Sequence, residues 1–366
     1  MESLGCEVLV IGGRIAGSTL AALLGEAHHD VVVADRARFP SPTLSTHFFR
    51  GAGGVAVLRR LGVLEEVQAL GPPELACQYD YLDGEESFRL GPPQDPGEAG
   101  FCLSVRREPL DDILLRRASR EPGVRVLPET RLVELTHSGG RVVGAVLARG
   151  REPIMVRSRF TVGADGRHSR VATAAGAGLE LSDKPARALC YQYVRGFPSP
   201  GPGPGPEFSF RGDEVAYVFP SDGGVTCVAV SVNLAAFRQI RRSLAAAFPR
   251  VIAAHRGLAR RFSRAEPVSR VLGCGPEPCY VRQPFGAGWA LVGDASIHQD
   301  PWTGVGIDFA SIHATFLAEA LLEVVDGHRP EANSLANYRI RRNEHGLAIY
   351  KETTELAKDL RTIPSE

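Results

Sequence analysis

Short apolar segments alternate with helical patterns along the first 36 residues. The run CEVLVI (6–11) has the length typical of a buried parallel strand. STLAALLGEA has helical spacing of its apolar residues, and HHDVVVADR supplies a second apolar strand that ends on Asp35. The glycine-rich stretch GGRIAG joins the first strand to the helix. The order strand, glycine turn, helix, strand predicts a βαβ unit.

The same patterns continue up to the middle of the chain. An amphipathic helix is predicted over 55–70 with a break at Gly62, and a second helix over 109–120. Alternating residues then predict strands that form a hairpin with its turn at 138–140. A further buried strand is predicted at the start of FTVGAD, 160–165.

The pattern changes between about 185 and 270. Aromatic and β-branched residues alternate there, which predicts an antiparallel sheet. The run PSPGPGPGP (198–206) cannot join a strand ladder and is expected to be an exposed loop. A helical stretch follows over 234–248. Beyond it, WALVGDA (289–295) predicts another buried strand, and 303–325 predicts a long helix opened by glycines.

This order predicts an α/β (α+β) protein in which two domains interleave along the chain. The α/β pattern appears first, the sheet pattern interrupts it, and the α/β pattern then returns. The predicted segments are 1–75, 100–184 and 270–330 for a Rossmann-like domain, 76–99 and 185–269 for an antiparallel-sheet substrate domain, and 331–366 for C-terminal helices that pack on the Rossmann-like domain.

The composition narrows the class of protein. The 42 Lys and Arg residues balance 42 Asp and Glu residues, so the formal net charge is zero. That balance argues against a dedicated nucleic-acid binder or a binder of anionic membranes. The apolar fraction of 44% and the charged fraction of 23% are ordinary for a globular protein. The preference for Arg over Lys indicates a GC-rich bacterial coding sequence.

The N-terminal segment and the cysteines predict a cytoplasmic protein. The opening MESLGCEVLVIGG lacks a basic segment and a cleavage site, and no apolar run reaches 18 residues, so neither a signal peptide nor a membrane span is expected. The seven cysteines are odd in number and scattered, which argues against a disulfide framework. Their spacing does not predict a metal site.

The first chemical signal is the turn between the first strand and helix. It matches the dinucleotide pattern G-x-G-x-x-G at Gly12, Arg14 and Gly17, with an arginine where the middle glycine is usual. The N–H groups and dipole of the following helix favour an anion there. Asp35 is the acid expected to bind a ribose hydroxyl. The residues expected to contact a dinucleotide are Gly12, Gly13, Arg14, Ile15, Ala16, Gly17, Asp35 and Arg36.

Two later motifs distinguish among dinucleotides. GADGRHS lies at 163–169, and GDASIHQDPWTGVG lies at 293–306. Together with the first turn, they resemble flavoprotein monooxygenases of the p-hydroxybenzoate hydroxylase type, with the related geranylgeranyl reductase-like and halogenase flavoproteins. The three motifs occur in the family's order and span nearly the whole chain.

The resemblance implies an FAD-binding domain and assigns further cofactor residues. Arg107 lies in RREPLDDIL, which is similar to the family's R-x-x-L-D stretch, and Arg106 is the neighbouring alternative. Asp308 stands where many relatives have Asn, and an acid at the start of this helix could repel a reduced flavin. The additional FAD contacts that the resemblance implies are Arg50, Arg107, Asp165, Asp294, Gly304, Val305 and Gly306, with Arg167 also associated with nicotinamide handling.

The resemblance also implies a reaction. NADPH or NADH would act as a transient hydride donor, and oxygen would react through a C4a-hydroperoxyflavin to hydroxylate or epoxidise an aromatic, polyketide or other apolar secondary metabolite, as in antibiotic biosynthesis. His47 and His298 could titrate near neutrality. The candidate catalytic residues are His47, His298, Pro301 and Trp302, and the candidate substrate contacts are Phe48, Phe49, Tyr191, Tyr193, Tyr217 and Phe219.

Other interpretations remain open at this point. AYVFP (216–220) loosely resembles a YxWxFP stretch of isoprenoid double-bond reductases but lacks its tryptophan. A redox-neutral flavoprotein cyclase is a further alternative, because Arg14 and Asp308 depart from the family pattern. A halogenase is disfavoured, since WxWxIP is absent and the first lysine is Lys184. Reduction by a separate flavin or reductase partner, and a monomer or a homodimer, are all compatible with the sequence.

Overall fold

The computed structural model describes residues 2–45, 47–90 and 100–363, with the backbone alone over 86–90. Residues 91–99 of the predicted substrate segment 76–99, and residues 364–366 of the tail, lie outside this range. The strands are β1 (Glu2–Ile11), β2 (Val31–Ala34), β3 (Phe48–Phe49), β4 (Cys77–Leu82), β5 (Glu85–Leu90), β6 (Leu103–Ser104), β7 (Val124–Leu127), β8 (Thr130–Ser138), β9 (Arg141–Arg149), β10 (Glu152–Gly163), β11 (Leu179–Asp183), β12 (Arg187–Arg195), β13 (Glu207–Arg211), β14 (Glu214–Pro220), β15 (Thr226–Asn233), β16 (Glu266–Pro267), β17 (Leu272–Cys274), β18 (Cys279–Arg282), β19 (Phe285–Gly286), β20 (Trp289–Leu291) and β21 (Ile297–His298). The helices are α1 (Ile15–Glu26), α2 (Ala56–Arg60), α3 (Leu64–Gln68), α4 (Arg107–Ser119), α5 (Arg170–Ala174), α6 (Leu234–Ile240), α7 (Leu244–Ala254), α8 (Arg256–Phe262), α9 (Gly306–Val325) and α10 (Glu331–Leu356).

A parallel sheet carries the predicted βαβ unit. The strand order is β19-β20-β10-β1-β2-β7, and β8 and β9 extend β10 as an antiparallel hairpin. Strands β20, β10, β1, β2 and β7 run parallel, so their carboxyl ends meet at one edge. Alternate residues of β1 and β2 are buried against α1, α4 and α9 on one side of the sheet and against residues of β8 and β9 on the other. Both faces are therefore buried, which is why these strands are continuously apolar.

The second sheet is largely antiparallel, as the alternation between 185 and 270 predicts. Its order is β16-β12-β15-β14-β13-β4-β5, with β17 beside β12, and β4 runs parallel to β13. One face packs under α7 and α8 through Phe248, Ile252 and Leu258. The other face carries aromatic side chains toward the first domain. The α/β (α+β) fold class is therefore confirmed.

Some element boundaries agree with those predicted from the sequence and others differ. The break predicted at Gly62 is present between α2 and α3, and the predicted hairpin has its turn at 139–140. The long helix begins at Gly306 rather than at 303, because Gly304 takes a left-handed φ of 68° that ends the preceding turn. The helical stretch predicted over 234–248 is instead three helices that extend to Phe262.

The C-terminal helices contact both domains. Helix α10 packs along α9, and the Trp302 indole N–H donates to the carbonyl of Thr353 at 2.9 Å. Just beyond α10, the carbonyl of Ala357 accepts from Arg187 of β12 at 3.3 Å. The backbone N–H of Leu360 donates to Asp213 at 2.9 Å. The tail thus joins the two sheets rather than packing on the first domain alone.

Among the described residues, no helix is both long enough and apolar enough to cross a bilayer.

The buried side chain of Arg187 in β12 is expected to stabilise the fold. Its side chain is fully buried and donates to Asp213 at 2.7 Å and to Ser231 at 2.9 Å. Replacement by methionine leaves Asp213 without its cation in a mostly buried site, so the free energy of unfolding should fall by about 3–5 kcal/mol. Urea unfolding measures this difference.

The matched control is Arg211→Met, which breaks a partly exposed ion pair to Glu214 in the same sheet. It should cost less than about 1 kcal/mol. Equal losses in the two variants would contradict the role assigned to Arg187.

Candidate functional site

The glycine turn between β1 and α1 is closed by two glycines. Gly12 has φ of +108°, and a Cβ there would lie 2.3 Å from the carbonyl oxygen of Ala164. A Cβ at Gly17 would lie 1.8 Å from the carbonyl oxygen of Gly12. Neither position has room for a side chain, so the start of α1 lies directly on the turn.

Asp35 fastens this turn to the end of β2. Its carboxylate is buried and accepts from the N–H of Gly13 at 2.7 Å and from that of Ala37 at 2.8 Å. A carboxylate has about four lone-pair sites, so two remain after these bonds. Asp35 is therefore a structural acceptor that can still take a hydroxyl.

Arg14, the departure from the glycine pattern, is held by a buried acid. Its guanidinium donates to Asp111 at 2.5 Å and to Ser41 at 3.0 Å. Arg107 donates to the other oxygen of Asp111 at 2.9 Å. The Asp111 side chain is completely buried, so one carboxylate aligns two arginines and leaves one net positive charge beside the turn.

Asp308, which stands where many relatives have Asn, is held by hydrogen bonds within the protein. Its carboxylate accepts from the N–H groups of Gly54 at 2.8 Å and Arg50 at 3.0 Å, and from the Arg50 guanidinium at 3.1 Å. Burial raises the pKa of this carboxyl, while Arg50 favours its charged form. Asp308 therefore supports the π-helical turn Gly51–Val55 and is balanced by Arg50.

A cavity of about 740 Å³ runs from the glycine turn to the second sheet. This volume is within the range of ligand sites in proteins. Most of the residues predicted for the site line it. These are Gly12, Arg14, Ile15, Ala16, Asp35, Arg36, His47, Phe48, Arg107, Asp165, Arg167, Asp294, His298, Pro301, Gly304, Val305 and Gly306.

Other predicted residues lie outside the lining of this cavity. They are Gly13, Gly17, Arg50, Trp302, Phe49, Tyr191, Tyr193, Tyr217 and Phe219. Gly13 and Gly17 shape the turn from behind, and Arg50 is bound to Asp308 and the carbonyl of Thr303. Trp302 is bound to the carbonyl of Thr353 in α10. Direct contact of these residues with a ligand stays a prediction.

The predicted substrate aromatics form a packed layer on the second sheet. Phe219 stacks on Phe48 at 4.9 Å between ring centroids, and Tyr217 stacks on Phe219 at 5.8 Å. The Tyr217 hydroxyl donates to the carbonyl of Trp302 at 2.7 Å. Phe49 faces the core of the first domain instead. The layer stands behind Phe48, which alone of these aromatic residues reaches the cavity.

His47 is a neutral group rather than one that titrates near neutrality. Desolvation, followed by the charges of Arg107 and Arg106, lowers the pKa of His47 well below its usual value. Its Nε2 hydrogen-bonds the Tyr193 hydroxyl, and the two rings stack at 5.5 Å between centroids. Burial raises the pKa of Tyr193 far above its ordinary range. The pair is uncharged at physiological pH.

The DG motif forms a turn that supports the cavity wall. The Asp165 carboxylate accepts from the Ser169 hydroxyl at 2.5 Å and from the N–H of Arg170 at 2.7 Å, which caps α5. Arg167 pairs with Glu277 at 2.5 Å. Arg106, the alternative to Arg107, is bound to the buried Asp222 at 2.7 Å and does not line the cavity.

Sequence reasoning missed several lining residues. Leu189 of β12 and Cys274 of β17 are paired neighbours on the second sheet, and Glu277 and Asp300 lie on loops. Asp300 is almost fully buried, and its carboxylate accepts from the N–H of Trp302 at 3.1 Å. Burial raises the pKa of Asp300 to about 6. In the sequence, Asp300 could be singled out only by its position before Pro301 in the motif GDASIHQDPWTGVG.

The cavity suits a dinucleotide that carries two phosphates and several hydroxyls. The N-termini of α1 and α9 both open on it, and free N–H groups there favour anions. Within the described part of the chain, the Asp294 carboxylate receives no hydrogen bond, so it is available to a ligand hydroxyl. The cavity therefore presents anion donors at two ends and acceptors beside them.

Comparisons with known proteins agree with this geometry. The FAD binding domain family matches residues 5–194, which is just over half of the chain. Digeranylgeranylglycerophospholipid reductase 2 of Methanothermobacter thermautotrophicus is 30% identical over 345 residues, covering 92% of this chain and 82% of that protein. The 6-methylpretetramide 4-monooxygenase of Streptomyces rimosus is 34% identical over 174 residues, covering 46% of this chain and 40% of that protein.

Solved structures of flavoproteins share the fold of this chain. PqsL of Pseudomonas aeruginosa in complex with 2-aminobenzoylacetate is 25% identical, covers 96% of this chain and 96% of that chain, and has a TM-score of 0.81. The myxobacterial chondrochloren halogenase CndH shares the fold, with a TM-score of 0.85 at 22% identity, and the match covers 95% of this chain and 81% of that chain. The resemblance carried by the three sequence motifs is confirmed.

Gly17→Ala tests the turn. The added methyl group collides with the carbonyl of Gly12, so α1 must shift off the turn, and the affinity for FAD should fall at least about tenfold, equivalent to about 1.4 kcal/mol. The flavin-to-protein ratio after purification and a titration of the apoprotein with FAD measure the effect.

Gly5→Ala is the control, because a Cβ at Gly5 in β1 meets no atom within 4 Å. Unfolding curves of both variants separate loss of the cofactor from loss of the fold. Unchanged affinity for FAD in Gly17→Ala would refute the assignment of the turn.

Asp300→Asn tests the buried carboxyl. The pKa of Asp300 is about 6 in the folded protein against 3.8 in the unfolded chain, so the unfolded state ionises first as the pH rises between these values. The wild type therefore loses about 3 kcal/mol of stability over this interval, which the Asn variant does not lose. Urea unfolding of both proteins near pH 4 and pH 7 should show the advantage of the variant growing by about that amount. A difference in the free energy of unfolding that stays the same at both pH values would contradict the raised pKa of Asp300.

Proposed function

The chain belongs to the FAD binding domain family and is an FAD-dependent oxidoreductase, and we propose that it is a monooxygenase using NAD(P)H and O2. Its proposed substrate is an aromatic, polyketide-type or other apolar metabolite, which would be hydroxylated or epoxidised. The observation that carries this proposal is the continuity of the cavity, which touches the glycine turn at one end and Leu189 and Cys274 of the second sheet at the other. One continuous space would thus hold a cofactor and present its reactive end to a substrate.

The residues that would hold FAD fall into three groups. The N-terminus of α1, with Arg107 and Arg14, would bind the pyrophosphate, and Asp35 would accept from a ribose hydroxyl. Asp294 would accept from a hydroxyl of the ribityl chain. The N–H groups at the start of α9, from Gly306, would face the pyrimidine edge of the flavin. The chemistry supplied by FAD is two-electron transfer from the nicotinamide and activation of oxygen.

The protein side of the reaction is orientation and exclusion of water. At the end of the cavity near the second sheet, Phe48, Leu189 and Pro301 supply apolar surface. His47 lines the cavity beside them and is hydrogen-bonded to Tyr193. Because His47 is uncharged, it can position a polar group of the substrate by hydrogen bonding without adding a fixed charge. Such a wall suits an apolar substrate and a site that keeps water away from reactive oxygen species.

The redox-neutral alternative loses the two observations on which it depended. Arg14 is held by Asp111 and adds positive charge where a pyrophosphate would lie. Asp308 is bound to Arg50 and the Gly54 N–H and is absent from the cavity lining. Neither departure opposes reduction of a flavin at this site.

A reductase of isoprenoid double bonds is the second candidate. It is favoured by a relative named as a reductase, which is 30% identical over 92% of this chain, whereas the 6-methylpretetramide 4-monooxygenase match covers 46%. The same cavity would serve both reactions, because each uses a reduced flavin facing an apolar substrate.

Oxygen dependence distinguishes the two reactions. The purified protein should be yellow with bound FAD, and a panel of phenols, polyketide-type aromatics and isoprenoid quinones should be screened for faster NADH or NADPH oxidation. With a monooxygenase, the product gains one oxygen atom from labelled O2, and turnover stops under anaerobic conditions.

A product that gains two hydrogens without oxygen, with turnover persisting in the absence of air, would establish the reductase instead. Conversion of substrate while the flavin stays oxidised in excess NADH and NADPH would overturn both.

A further inference from the structure

One stretch of the chain is strongly basic despite the zero net charge. Residues 234–264, which contain α6, α7 and α8, include eight arginines and no aspartate, glutamate or lysine. We call this stretch the basic layer. One of the eight, Arg261, binds Glu207 inside the domain. The other seven are exposed at Arg238, Arg241, Arg242, Arg250, Arg256, Arg260 and Arg264.

The arginines face outward because the opposite side of the helices is fixed on the sheet. Phe248 and Ile252 of α7 and Leu258 of α8 are fully buried against the second sheet. With 3.6 residues per turn, Arg250 lies on the side of α7 away from Phe248, and Arg260 on the side of α8 away from Leu258. Packing of the apolar side thus leaves these arginines on the outward side of the helices.

The seven exposed arginines have no acidic partner among the described residues. In the described part of the chain, no carboxylate oxygen lies within 4.0 Å of a guanidinium nitrogen of these seven residues. Elsewhere in the molecule, arginines such as Arg106 and Arg342 are bound to acids. A surface with seven uncompensated charges attracts an anionic partner over several ångströms in physiological salt.

The residues between the arginines favour a lipid surface over a protein partner. The exposed neighbours are small, such as Ala235, Ala245, Ala246 and Ala253, and the exposed large hydrophobic side chains of the described chain all lie outside 234–264. Protein interfaces usually depend on buried aromatic or aliphatic anchors. An anionic bilayer requires only clustered positive charge, and four to eight basic residues on an amphipathic helix are sufficient.

The basic layer packs on the second sheet, on the face opposite the cavity. The Leu244 side chain at the start of α7 lies against β17, where a Cβ at Gly273 would be 3.1 Å from it. The next residue, Cys274, lines the cavity. A surface bound by the basic layer would therefore face the same sheet as the cavity but from the opposite side, with the helices and the sheet between them.

We propose that the basic layer docks the protein on a bilayer surface rich in anionic phospholipid headgroups. The docked state would orient the protein with the second sheet on the bilayer side of the molecule. Binding relies on Coulomb attraction to headgroup phosphates and not on insertion, because the exposed face carries no large apolar side chain. This docking is independent of the reaction that the cavity performs.

Cosedimentation with vesicles tests the proposal. The full-length protein should bind vesicles of phosphatidylcholine containing one-third phosphatidylglycerol, should not bind pure phosphatidylcholine, and should be released by high salt. Arg242→Gln with Arg250→Gln should weaken binding about 30-fold, since each charge near the surface contributes about a factor of five.

The matched control is Arg151→Gln with Arg157→Gln, which removes the same charge from exposed positions on the first domain. It should bind as the wild type does. Absence of binding to the anionic vesicles, or equal weakening by the two double variants, would overturn the proposal. Binding of a DNA duplex without binding to anionic vesicles would also overturn it and would assign the surface to nucleic acid. FAD content serves as the folding check in every sample.

Discussion

The structure depends on one close approach, that of α1 to the end of β1. The carbonyl of Gly12 occupies the space that a side chain at Gly17 would need, and Gly12 itself lies against the end of β10. These contacts put the N-terminus of α1 at the edge where the parallel strands end. The Asp165 turn after β10 and the Asp294 turn after β20 reach the same edge. A side chain at either glycine would separate α1 from the other parts of the cavity.

Buried acids organise the charges around this edge. Asp111 holds Arg14 and Arg107 together, and Asp308 holds Arg50 against the turn at Gly54. Each acid is desolvated and therefore requires a cation or N–H donors close by. The outcome is a positive cavity wall near α1, while apolar side chains such as Phe48 and Leu189 line the cavity near the second sheet together with Asp300. Binding of an anionic cofactor and of an apolar substrate can thus take place in one cavity without conflict.

The elements nearest the cofactor turns were the most predictable from sequence. The βαβ unit, the strand before Asp294 and the helix after Gly304 follow from apolar periodicity and glycine positions, which act over a few residues. The aromatic alternation predicted the second sheet correctly but not which side chains reach the cavity. Tyr191, Tyr193, Tyr217 and Phe219 are separated from it by Phe48 and His47, which come from a distant part of the chain. Alternation identifies a face of a strand and carries no information about what covers that face.

The sequence by itself determined the family, the positions of the glycine turns and the interleaved order of the two sheets, because local motifs and spacing specify them. Only the tertiary structure decided what Arg14 and Asp308 do, since their partners Asp111 and Arg50 are far away along the chain. It also decided the protonation of His47, which depends on burial and on neighbouring arginines. The distribution of charge over the surface was also decided by the tertiary structure. A net charge of zero is a property of composition, whereas the seven exposed arginines of the basic layer become a surface only when three helices fold their apolar sides onto one sheet.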